Sequence, residues 1–298
     1  MAHVFETFKR KIKELYGEES LEWWDRSYIV DWLVATAVLF LAYFVEGLPV
    51  FERDFKLDDP LISHPHTHQR ISGHTNVLIA LVVPMTASGI VGGARSSVVE
   101  IHHGILAAWS GRALNSIITE ALKNRVGRLR PDFLARCAWD AAAQACTGNA
   151  GDITDGRRSF PSGHSSTAFT GMTFLTLFIA GKTASLCFSV PGPPRSILGS
   201  RLVRLMLTLS PLAWATWVAI SRVEDYRHHK EDVIVGSTIG AISAAICYLI
   251  FWPSPFAAAN FRMESTGRPR LLYQKHDLRG NSRDGYELTG LEHDVEAV

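Results

Sequence analysis

The stretch that decides the fold is "PSGHSSTAFTGMTFLTLFIA", residues 161–180. It opens with a Pro-Ser-Gly turn and a histidine, and it continues as an apolar run that approaches the length of a membrane helix. A bilayer span needs roughly 20 mostly apolar residues in a helix, because the hydrocarbon core has no water to satisfy backbone polar groups. A polar cluster at the mouth of such a span is either a solvated loop or part of an active site, and the flanking sequence must decide between them.

Six segments of the 298-residue chain approach the length and apolarity of a span: 28–45, 75–94, 98–118, 165–180, 202–220 and 233–252. The first, second, fifth and sixth are good candidates. The fourth is short, and the third contains four ionisable residues, Glu100, His102, His103 and Arg112. The third alone also fits a buried helix of a soluble protein, but the six together predict an all-α, polytopic membrane bundle with six transmembrane helices.

Ionisable side chains inside membrane spans are costly and tend to face the bundle interior or a polar cavity. Asp31 and Arg112 lie in the first and third segments. We expect both residues to make structural hydrogen bonds rather than to take part in catalysis.

The average composition hides this organisation, because the apolar residues are grouped together and the polar residues lie towards the two ends. Hydrophobic residues make up 47% of the chain, and the mean hydropathy of +0.08 is not extreme. The formal net charge of +1 argues against a nucleic-acid partner. We expect three parts: an amphipathic N-terminal segment over 1–27, a transmembrane domain over 28–252, and a polar, largely disordered tail over 253–298.

The N-terminal segment carries charge throughout and lacks the continuous apolar core of a signal peptide. Its apolar residues recur every three or four positions, as on one face of a helix, with basic residues opposite. Such a helix either lies on a membrane surface or forms a soluble lead-in to the first span. The sequence leaves both alternatives open.

Six spans place both chain termini on one side of the membrane and the loops 46–74, 119–164 and 221–232 on the other. Lysine and arginine are concentrated in the N-terminal segment and in the loop 181–201. Because cytoplasmic loops carry an excess of these residues, the termini are predicted to be cytoplasmic. The opposite face is then lumenal or extracellular, in a vacuolar, Golgi or plasma membrane.

The loop 119–164 is itself strongly basic, which violates this charge rule. Its stretch "LKNRVGRLRPDFLARC", residues 122–137, holds four closely spaced cations: Lys123, Arg125, Arg128 and Arg130. Alone, the stretch would be a solvated basic loop. Beside the other polar clusters, the mutual repulsion of these cations indicates that an anion binds among them.

The four cysteines have neither a CxxC pair nor the spacing of zinc ligands. Cys137 and Cys146 share the loop 119–164. A disulfide between them is possible if this loop faces an oxidising compartment, and the sequence leaves that question open.

Two further polar clusters lie at span ends on the same predicted face. Ser162, Gly163 and His164 offer a hydroxyl, a close backbone approach and an imidazole at a helix N-terminus, where the helix dipole favours an anion. The stretch "ISRVEDYRHHKEDVIVG", residues 220–236, adds Arg222, whose guanidinium can bind two phosphate oxygens.

His228 and Asp232 are four residues apart in this second stretch. If the sixth helix begins early, they lie on one face, and the carboxylate can hold one ring nitrogen while the other points outward. His229 has no carboxylate at that spacing, so His228 is the predicted nucleophile. Metal binding is the weaker alternative, because no set of ligands here has zinc-site spacing and the surrounding arginines would repel a cation.

Three motifs resemble, in order and spacing, the signature motifs of the PAP2 family, the type 2 phosphatidate phosphatases or lipid phosphate phosphatases. They are Lys123-x6-Arg130-Pro131, Pro161-Ser162-Gly163-His164 and Ser221-Arg222-x5-His228-x3-Asp232. The wording "GRLRPDFLARC" and "DYRHH" is similar to the fungal diacylglycerol pyrophosphate phosphatases. The resemblance covers roughly residues 28–252, and it implies a six-helix membrane bundle with a PAP2/haloperoxidase-like core.

The resemblance implies a role for each motif residue. His228 attacks phosphorus to give a phosphohistidine, Asp232 orients the imidazole, and His164 protonates the leaving oxygen and then activates the hydrolytic water. The phosphate is bound by five residues: Lys123, Arg130, Ser162, Gly163 and Arg222. The implied substrates are membrane phospholipids, namely phosphatidate, diacylglycerol pyrophosphate and lysophosphatidate.

The implied reaction needs no cofactor. Fixed cations can supply the charge neutralisation that Mg²⁺ supplies in kinases, so we expect activity without a divalent metal. The family contains both monomers and oligomers, so the oligomeric state stays open.

Three other functions fit parts of the pattern. A transporter or channel could also have six helices with basic loops, but its ionisable residues would lie at mid-span rather than at span ends. A non-catalytic lipid-binding relative would have no need of His164, His228 and Asp232 together. A vanadate-dependent peroxidase uses similar anion-binding motifs in a soluble fold, which the six spans disfavour.

Overall fold

The structure is a computed structural model that describes residues 2–191, 196–261 and 267–273. Within these ranges the chain forms nine α-helices: α1 (Ala2–Tyr16), α2 (Ser27–Glu46), α3 (Gly73–Ala94), α4 (Val98–Val126), α5 (Phe133–Cys137), α6 (Ala150–Gly156), α7 (Gly163–Thr183), α8 (Arg201–Glu224) and α9 (Lys230–Phe251). A two-stranded antiparallel hairpin, β1 (Trp139–Asp140) and β2 (Ala145–Cys146), lies between α5 and α6. Short 3-10 helices cover Glu18–Leu21, Pro60–Ile62, Ile197–Gly199 and Ala258–Phe261.

The six long helices α2, α3, α4, α7, α8 and α9 pack into one bundle. Helix α4 contacts α2, α3, α7 and α9, and α7 contacts α3, α4, α8 and α9, so α4 and α7 occupy the centre. Part of the core is aromatic, with buried side chains from α7 and from the end of α9: Phe174, Phe178, Tyr248 and Trp252. The predicted all-α bundle is confirmed.

The backbone of α9 lies directly against the start of α7. A Cβ atom at Gly236 would lie 2.5 Å from the carbonyl oxygen of Ser162, and one at Gly240 would lie 2.1 Å from that of Ser166. Side chains at these two positions would therefore force the helices apart. The two glycines keep the N-terminus of α7 against the first turns of α9, which brings two of the predicted motifs together.

Four of the long helices are long and apolar enough to cross a membrane: α2, α3, α8 and α9. They correspond to the four good candidates in the sequence. Helices α4 and α7 carry more polar and small residues, because they lie in the centre and pack against other helices on several sides. The outer helices expose large apolar side chains, as an integral membrane protein must: examples are Phe40, Phe44, Leu78, Ile90 and Ile246.

Two helix boundaries differ from the predicted ones at positions that matter for the site. Helix α4 continues to Val126, where Gly127 ends it in the left-handed conformation (φ 57°) with its N–H bonded to the carbonyl of Lys123. Lys123 is therefore helical and not part of a loop. Helix α9 begins at Lys230, so His228 lies before the helix and not on its first turn.

The connections predicted to share one face do meet at one end of the bundle. They are residues 47–72, 127–162 and 225–229. The hydroxyl of Thr67 in the first connection donates to the carbonyl of Asp225 in the third at 2.7 Å. His66 in the first bonds the carboxylate of Asp132 in the second, also at 2.7 Å. This end of the bundle carries the predicted site.

Cys137 and Cys146 form a disulfide that closes the β1–β2 hairpin, with their Cα atoms 4.7 Å apart. The sequence had left this pairing open. The bond agrees with a connection 127–162 that faces an oxidising compartment.

Part of the polar C-terminal tail packs onto the bundle. In residues 267–273, the backbone N–H of Leu272 donates to the hydroxyl of Tyr28 at 3.3 Å, and the hydroxyl of Tyr273 lies 2.9 and 3.1 Å from the two carboxylate oxygens of Asp31. These contacts hold residues 267–273 against α2, within a tail that was predicted to be largely disordered. The residues beyond it lie outside the described part of the chain. Asp31 makes the structural hydrogen bond expected of it.

Candidate active site

The eight residues predicted for the site lie at the end of the bundle where α4 ends and α7 and α9 begin. Lys123 is in the last turn of α4, Arg222 is in the last turn of α8, and Asp232 is in the first turn of α9. The others lie in the adjoining connections or at the start of α7: Arg130, Ser162, Gly163, His164 and His228.

The N-terminus of α7 has the features of an anion-binding site. Ser162 is its N-cap, with its hydroxyl oxygen facing the N–H of Ser165 at 3.4 Å, while its own N–H donates to the carbonyl of Asp232 at 2.9 Å. A Cβ atom at Gly163 would lie only 3.0 Å from the Nζ of Lys123. The ammonium group therefore lies beside the helix end, where backbone N–H groups and the helix dipole also favour negative charge.

His164 presents an imidazole nitrogen without a partner. Its Nε2 is buried and has no hydrogen-bond partner among the described residues. Its backbone carbonyl accepts from the side-chain amide of Asn76 at 2.9 Å, which ties the first turn of α7 to α3. Four groups of the site act on the ring electrostatically: Arg222, His228, Arg130 and Lys123. The ring is thus placed among the predicted phosphate ligands and is free to exchange a proton.

Each of the three predicted phosphate-binding cations contacts a carboxylate that the sequence did not single out. The pairs are Lys123–Glu120 (2.7 Å between Nζ and Oε1), Arg130–Asp155 (2.6 Å between Nη2 and Oδ1) and Arg222–Asp225 (3.1 Å between Nη2 and Oδ2). Glu120 also pairs with Arg158, and Asp155 also pairs with Arg136. Asp225 also pairs with Arg70, so these three carboxylates are shared among six cations. Arg136 and Arg70 each have one further carboxylate partner, Asp132 and Glu224, so the cations still outnumber the carboxylates and leave positive charge for an anion.

The connection 47–72 closes over the site and fixes Asp225. Its backbone N–H at Arg70 donates to the Asp225 carboxylate at 2.9 Å, and its Thr67 hydroxyl donates to the Asp225 carbonyl. Arg227 donates back to the carbonyl of Thr67 at 2.5 Å. This arrangement holds the carboxylate that positions the arginine of the third motif, and no spacing in the sequence predicts it.

The expected contact between Asp232 and His228 is long, and a different group holds the ring nitrogen. Because α9 begins only at Lys230, the two residues do not share a helix face, and His228 Nδ1 lies 3.9 Å from Asp232 Oδ2. The carbonyl oxygen of Ser159 lies closer to that ring nitrogen, at 2.8 Å. Asp232 instead accepts from the backbone N–H of His229 at 3.0 Å and lies 3.4 Å from its Nδ1.

Asp232 is fully buried and has two further partners. The hydroxyl of Ser159 donates to its Oδ2 at 2.5 Å, and Nη1 of Arg128 lies 2.8 Å from its Oδ1. Ser159 therefore contacts Asp232 through its side chain and His228 through its carbonyl. Sequence reasoning missed Ser159, because nothing in its spacing separates it from the other serines near the turn. Arg128 was recognised only as one of several closely spaced cations.

His228 is held as a neutral imidazole. Burial lowers its pKa well below the ordinary histidine value. The carboxylate of Asp232 raises that pKa, and the charges of Arg130 and Lys123 lower it. Because the carbonyl of Ser159 can only accept a hydrogen bond, Nδ1 carries the hydrogen and the lone pair of Nε2 is left for nucleophilic attack.

The residue types that ligate metals form no candidate metal site in the described part of the chain. There, no group of three or more His, Cys, Asp or Glu residues is placed to hold a metal ion. His66, in the connection 47–72, bonds the carboxylate of Asp132.

The comparison with protein families finds a match over residues 104–255 to the PAP2 superfamily. This region contains all eight predicted site residues. The chain is 33% identical to lipid phosphate phosphatase 2 of Arabidopsis thaliana over 78% of its own length and 79% of the relative's. It is also 33% identical to diacylglycerol pyrophosphate phosphatase 1 of Saccharomyces cerevisiae over 75% of its own length and 79% of the relative's. No solved structure matches the chain.

Proposed function

This chain belongs to the PAP2 superfamily, and on that premise we propose that it is an integral-membrane lipid phosphate phosphatase. The proposed substrates are phosphatidate, diacylglycerol pyrophosphate and lysophosphatidate. The names of the relatives support a phosphorylated lipid as substrate. The observation that carries the proposal is that His228, held by the carbonyl of Ser159, lies with Lys123, Arg130 and Arg222 at the N-terminal end of α7.

The first step places the lipid phosphate among fixed charges. Lys123, Arg130 and Arg222 neutralise its oxygens, and the hydroxyl of Ser162 and the backbone N–H of Gly163 complete the cradle. These donors are held in place before substrate arrives, by the carboxylate pairs and by the cap of α7. Phosphoryl transfer consists mainly of positioning and charge stabilisation, so a preformed cradle of cations supplies most of what it requires.

The second step is the transfer itself. The Nε2 lone pair of His228 attacks phosphorus, and the bond between phosphorus and the lipid oxygen breaks. The negative charge of the bound phosphate allows His164 to take up a proton, His164 gives this proton to the leaving oxygen, and the lipid product leaves a phosphohistidine behind. His164 then takes a proton from water, which attacks phosphorus, releases inorganic phosphate and restores the nitrogen lone pair of His228.

Asp232 acts on His228 mainly through neighbouring residues. Its carboxylate fixes the hydroxyl of Ser159 and the backbone at His229, so the residues on both sides of the nucleophile are held. Its negative charge also stabilises the positive charge that develops on the imidazole as the bond to phosphorus forms.

We propose that all six long helices span the membrane, with the termini cytoplasmic and the site on the lumenal or extracellular face. Helices α4 and α7 can cross as the shielded centre of the bundle, although their own composition is less apolar. The disulfide at the site end supports this orientation, because such bonds persist in oxidising compartments. A vacuolar, Golgi or plasma membrane fits equally.

A transporter is the less favoured function. The mid-bundle arginine, Arg112, donates to the hydroxyl of Thr167 at 2.8 Å, which is a structural contact between α4 and α7 as the sequence predicted. The charged residues are concentrated at the helix ends. A phospholipid headgroup would bind there, whereas the binding site of a transporter lies near the middle of the membrane.

The proposal predicts phosphatase activity that needs no divalent metal. Purified full-length protein in detergent micelles should release inorganic phosphate from diacylglycerol pyrophosphate and from phosphatidate at the same rate with and without excess EDTA. The reason is that fixed cations already neutralise the phosphate. A rate that falls in EDTA and is restored by Mg²⁺ would contradict the metal-free mechanism, and no release from either lipid would contradict the phosphatase.

The neutral state of His228 predicts a pH dependence of stability. As pH falls through about 6.5, the histidine in the unfolded chain binds a proton, whereas the folded protein with its lowered pKa does not. Proton binding then favours the unfolded state, by at most about 1.4 kcal/mol for each pH unit between the two pKa values. The unfolding temperature of the wild type should therefore fall more steeply below pH 6.5 than that of His228→Asn. Parallel profiles in a thermal-shift experiment would show that His228 titrates normally.

A further inference from the structure

A second cleft lies at the same end of the bundle but outside the proposed active site. It measures about 550 Å³, which is within the size range of ligand-binding pockets. One wall is formed by the end of α2 and the residues that follow it, with apolar side chains at Val45, Leu48, Val50 and Phe51. The other wall is the last part of α4, which contributes Arg125.

The two walls of this cleft are joined by hydrogen bonds and do not need a ligand to form. The side-chain amide of Asn124 donates to the carbonyl of Val45, and the N–H of Phe51 donates to the carbonyl of Asn124 at 2.8 Å. Arg53 donates to the carbonyl of Val126 at 2.8 Å. These bonds fix the chain after α2 against the last turns of α4, so the cleft is preformed.

Arg125 faces away from the phosphate cradle. It stands two positions after Lys123, and two positions on a helix correspond to a rotation of about 200°. Lys123 approaches Gly163 on the inner side, so Arg125 points outward, where it is exposed and lines the cleft. No carboxylate pairs with Arg125 among the described residues, and none of the residues lining the cleft is acidic.

The cleft lies at the end of a helix that is long and apolar enough to span a membrane. Helix α2 is apolar enough to span a membrane, and Val45 is in its last turn. Tyr43, a residue type that is enriched at the membrane interface, is exposed near this turn, and the apolar rings of Phe44 and Phe51 are exposed beside it. A ligand here would have an apolar part beside the α2 wall and an anionic part beside Arg125.

We propose that this cleft binds an anionic phospholipid that is not a substrate. Its phosphodiester group pairs with the guanidinium of Arg125, and an acyl chain lies along Val45, Leu48 and Phe51. Arg125 binds the phosphodiester, and because no acidic residue lines the cleft to pair with a choline cation, the site favours a headgroup with net negative charge. The apolar wall selects for a lipid over free phosphate. Because this ligand is not hydrolysed, the inference stands apart from the proposed catalytic function.

The test measures lipid binding by thermal stabilisation of the full-length protein in non-ionic detergent micelles. A ligand that binds only the folded protein raises its unfolding temperature in proportion to its saturation. Phosphatidylglycerol should stabilise the wild type, and phosphatidylcholine with the same acyl chains should do so much less. The apparent affinity for phosphatidylglycerol should fall about tenfold in Arg125→Gln, through loss of a charge-assisted hydrogen bond.

Arg201→Gln is the matched control, because Arg201 is also exposed but lies at the first residue of α8, at the opposite end of the bundle. It should bind phosphatidylglycerol like the wild type. Leu48→Trp, which fills the cleft without a change of charge, should lose the stabilisation as Arg125→Gln does. Arg125 and Leu48 are both on the surface, so the two variants without lipid should unfold near the wild-type temperature.

Three results would overturn the proposal. Equal stabilisation by the two lipids would show that the charge of the headgroup does not affect binding. Equal losses in Arg125→Gln and Arg201→Gln would show general attraction to an anionic micelle surface. Competition by saturating inorganic phosphate, which the catalytic cradle should bind, would place the lipid in the active site instead. None of these measurements depends on turnover, so failure here is distinguishable from failure of the phosphatase proposal.

Discussion

His228→Ala should lower the rate of phosphate release from both diacylglycerol pyrophosphate and phosphatidate by on the order of 10⁴-fold or more. The substitution removes the nitrogen that forms the covalent bond to phosphorus, and loss of a catalytic nucleophile costs rates of this size. Binding should change far less, because the cations and the N-terminus of α7 remain. The measurement is phosphate release by purified protein in micelles, with each lipid supplied separately.

His229→Ala is the matched control for this variant. His229 is the adjacent imidazole, it contacts the same carboxylate at Asp232, and its Nε2 lies 3.1 Å from the carbonyl of Leu61. It should retain most activity, since its ring is not held for attack. Activity that survives in His228→Ala but is lost in His229→Ala would show that His229 is the nucleophile.

A trapping experiment tests the covalent step directly. Wild-type protein quenched during turnover of lipid labelled with ³²P in the transferred phosphate should carry an acid-labile phosphoryl group, as phosphohistidine does. His228→Ala should carry none. Size-exclusion elution and unfolding temperature must show that the variant is folded, because His228 is 3% exposed and its removal leaves a cavity. A labelled His228→Ala protein would contradict the mechanism.

The general architecture could be predicted because its determinants are local. Apolar runs of span length show where the outer helices lie, and the three motifs stand at span ends that the topology brings to one face. The close approach of α7 and α9 depends on Gly236 and Gly240, which contact Ser162 and Ser166 far away in sequence. The sequence shows the glycines but not the partners that require them.

The contacts around the nucleophile could not be predicted, because they depend on where a helix starts and on backbone atoms from another connection. A spacing of four residues suggests a bond between His228 and Asp232 only if both are helical. The helix begins after His228, and the carbonyl of Ser159 from the connection 127–162 takes the ring N–H. A backbone carbonyl has no signature in a sequence pattern.

The carboxylates that hold the cations were missed for a related reason. Glu120 is three residues before Lys123 on a helix that was expected to end at residue 118, so the pair became visible only with the longer α4. Asp225 is fixed by the connection 47–72, which no local rule would place over the third motif. Long-range packing of irregular segments therefore accounts for most of what the sequence did not show.

The other large effect concerns His164 and depends on the leaving group. His164→Ala should lower the rate of phosphatidate hydrolysis by about 10²- to 10⁴-fold, the usual contribution of general acid–base catalysis. The leaving oxygen of phosphatidate is an alkoxide, which needs a proton as the bond to phosphorus breaks. Diacylglycerol pyrophosphate instead expels a phosphate group, a much weaker base that can leave without one. The rate of the first phosphoryl transfer, from diacylglycerol pyrophosphate to His228, should therefore fall only slightly.

The second half-reaction is the same for both lipids, because the phosphohistidine must be hydrolysed by a water that His164 activates. With diacylglycerol pyrophosphate, His164→Ala should release a rapid burst of about one phosphatidate per enzyme and then turn over slowly. With phosphatidate it should show no burst. Rapid-quench measurement of the lipid product resolves the two cases, with His74→Ala, an exposed histidine in the first turn of α3, as the control. Equal losses on both lipids without a burst would mean that His164 does not serve as the acid, and its buried, unpartnered Nε2 would then need another explanation.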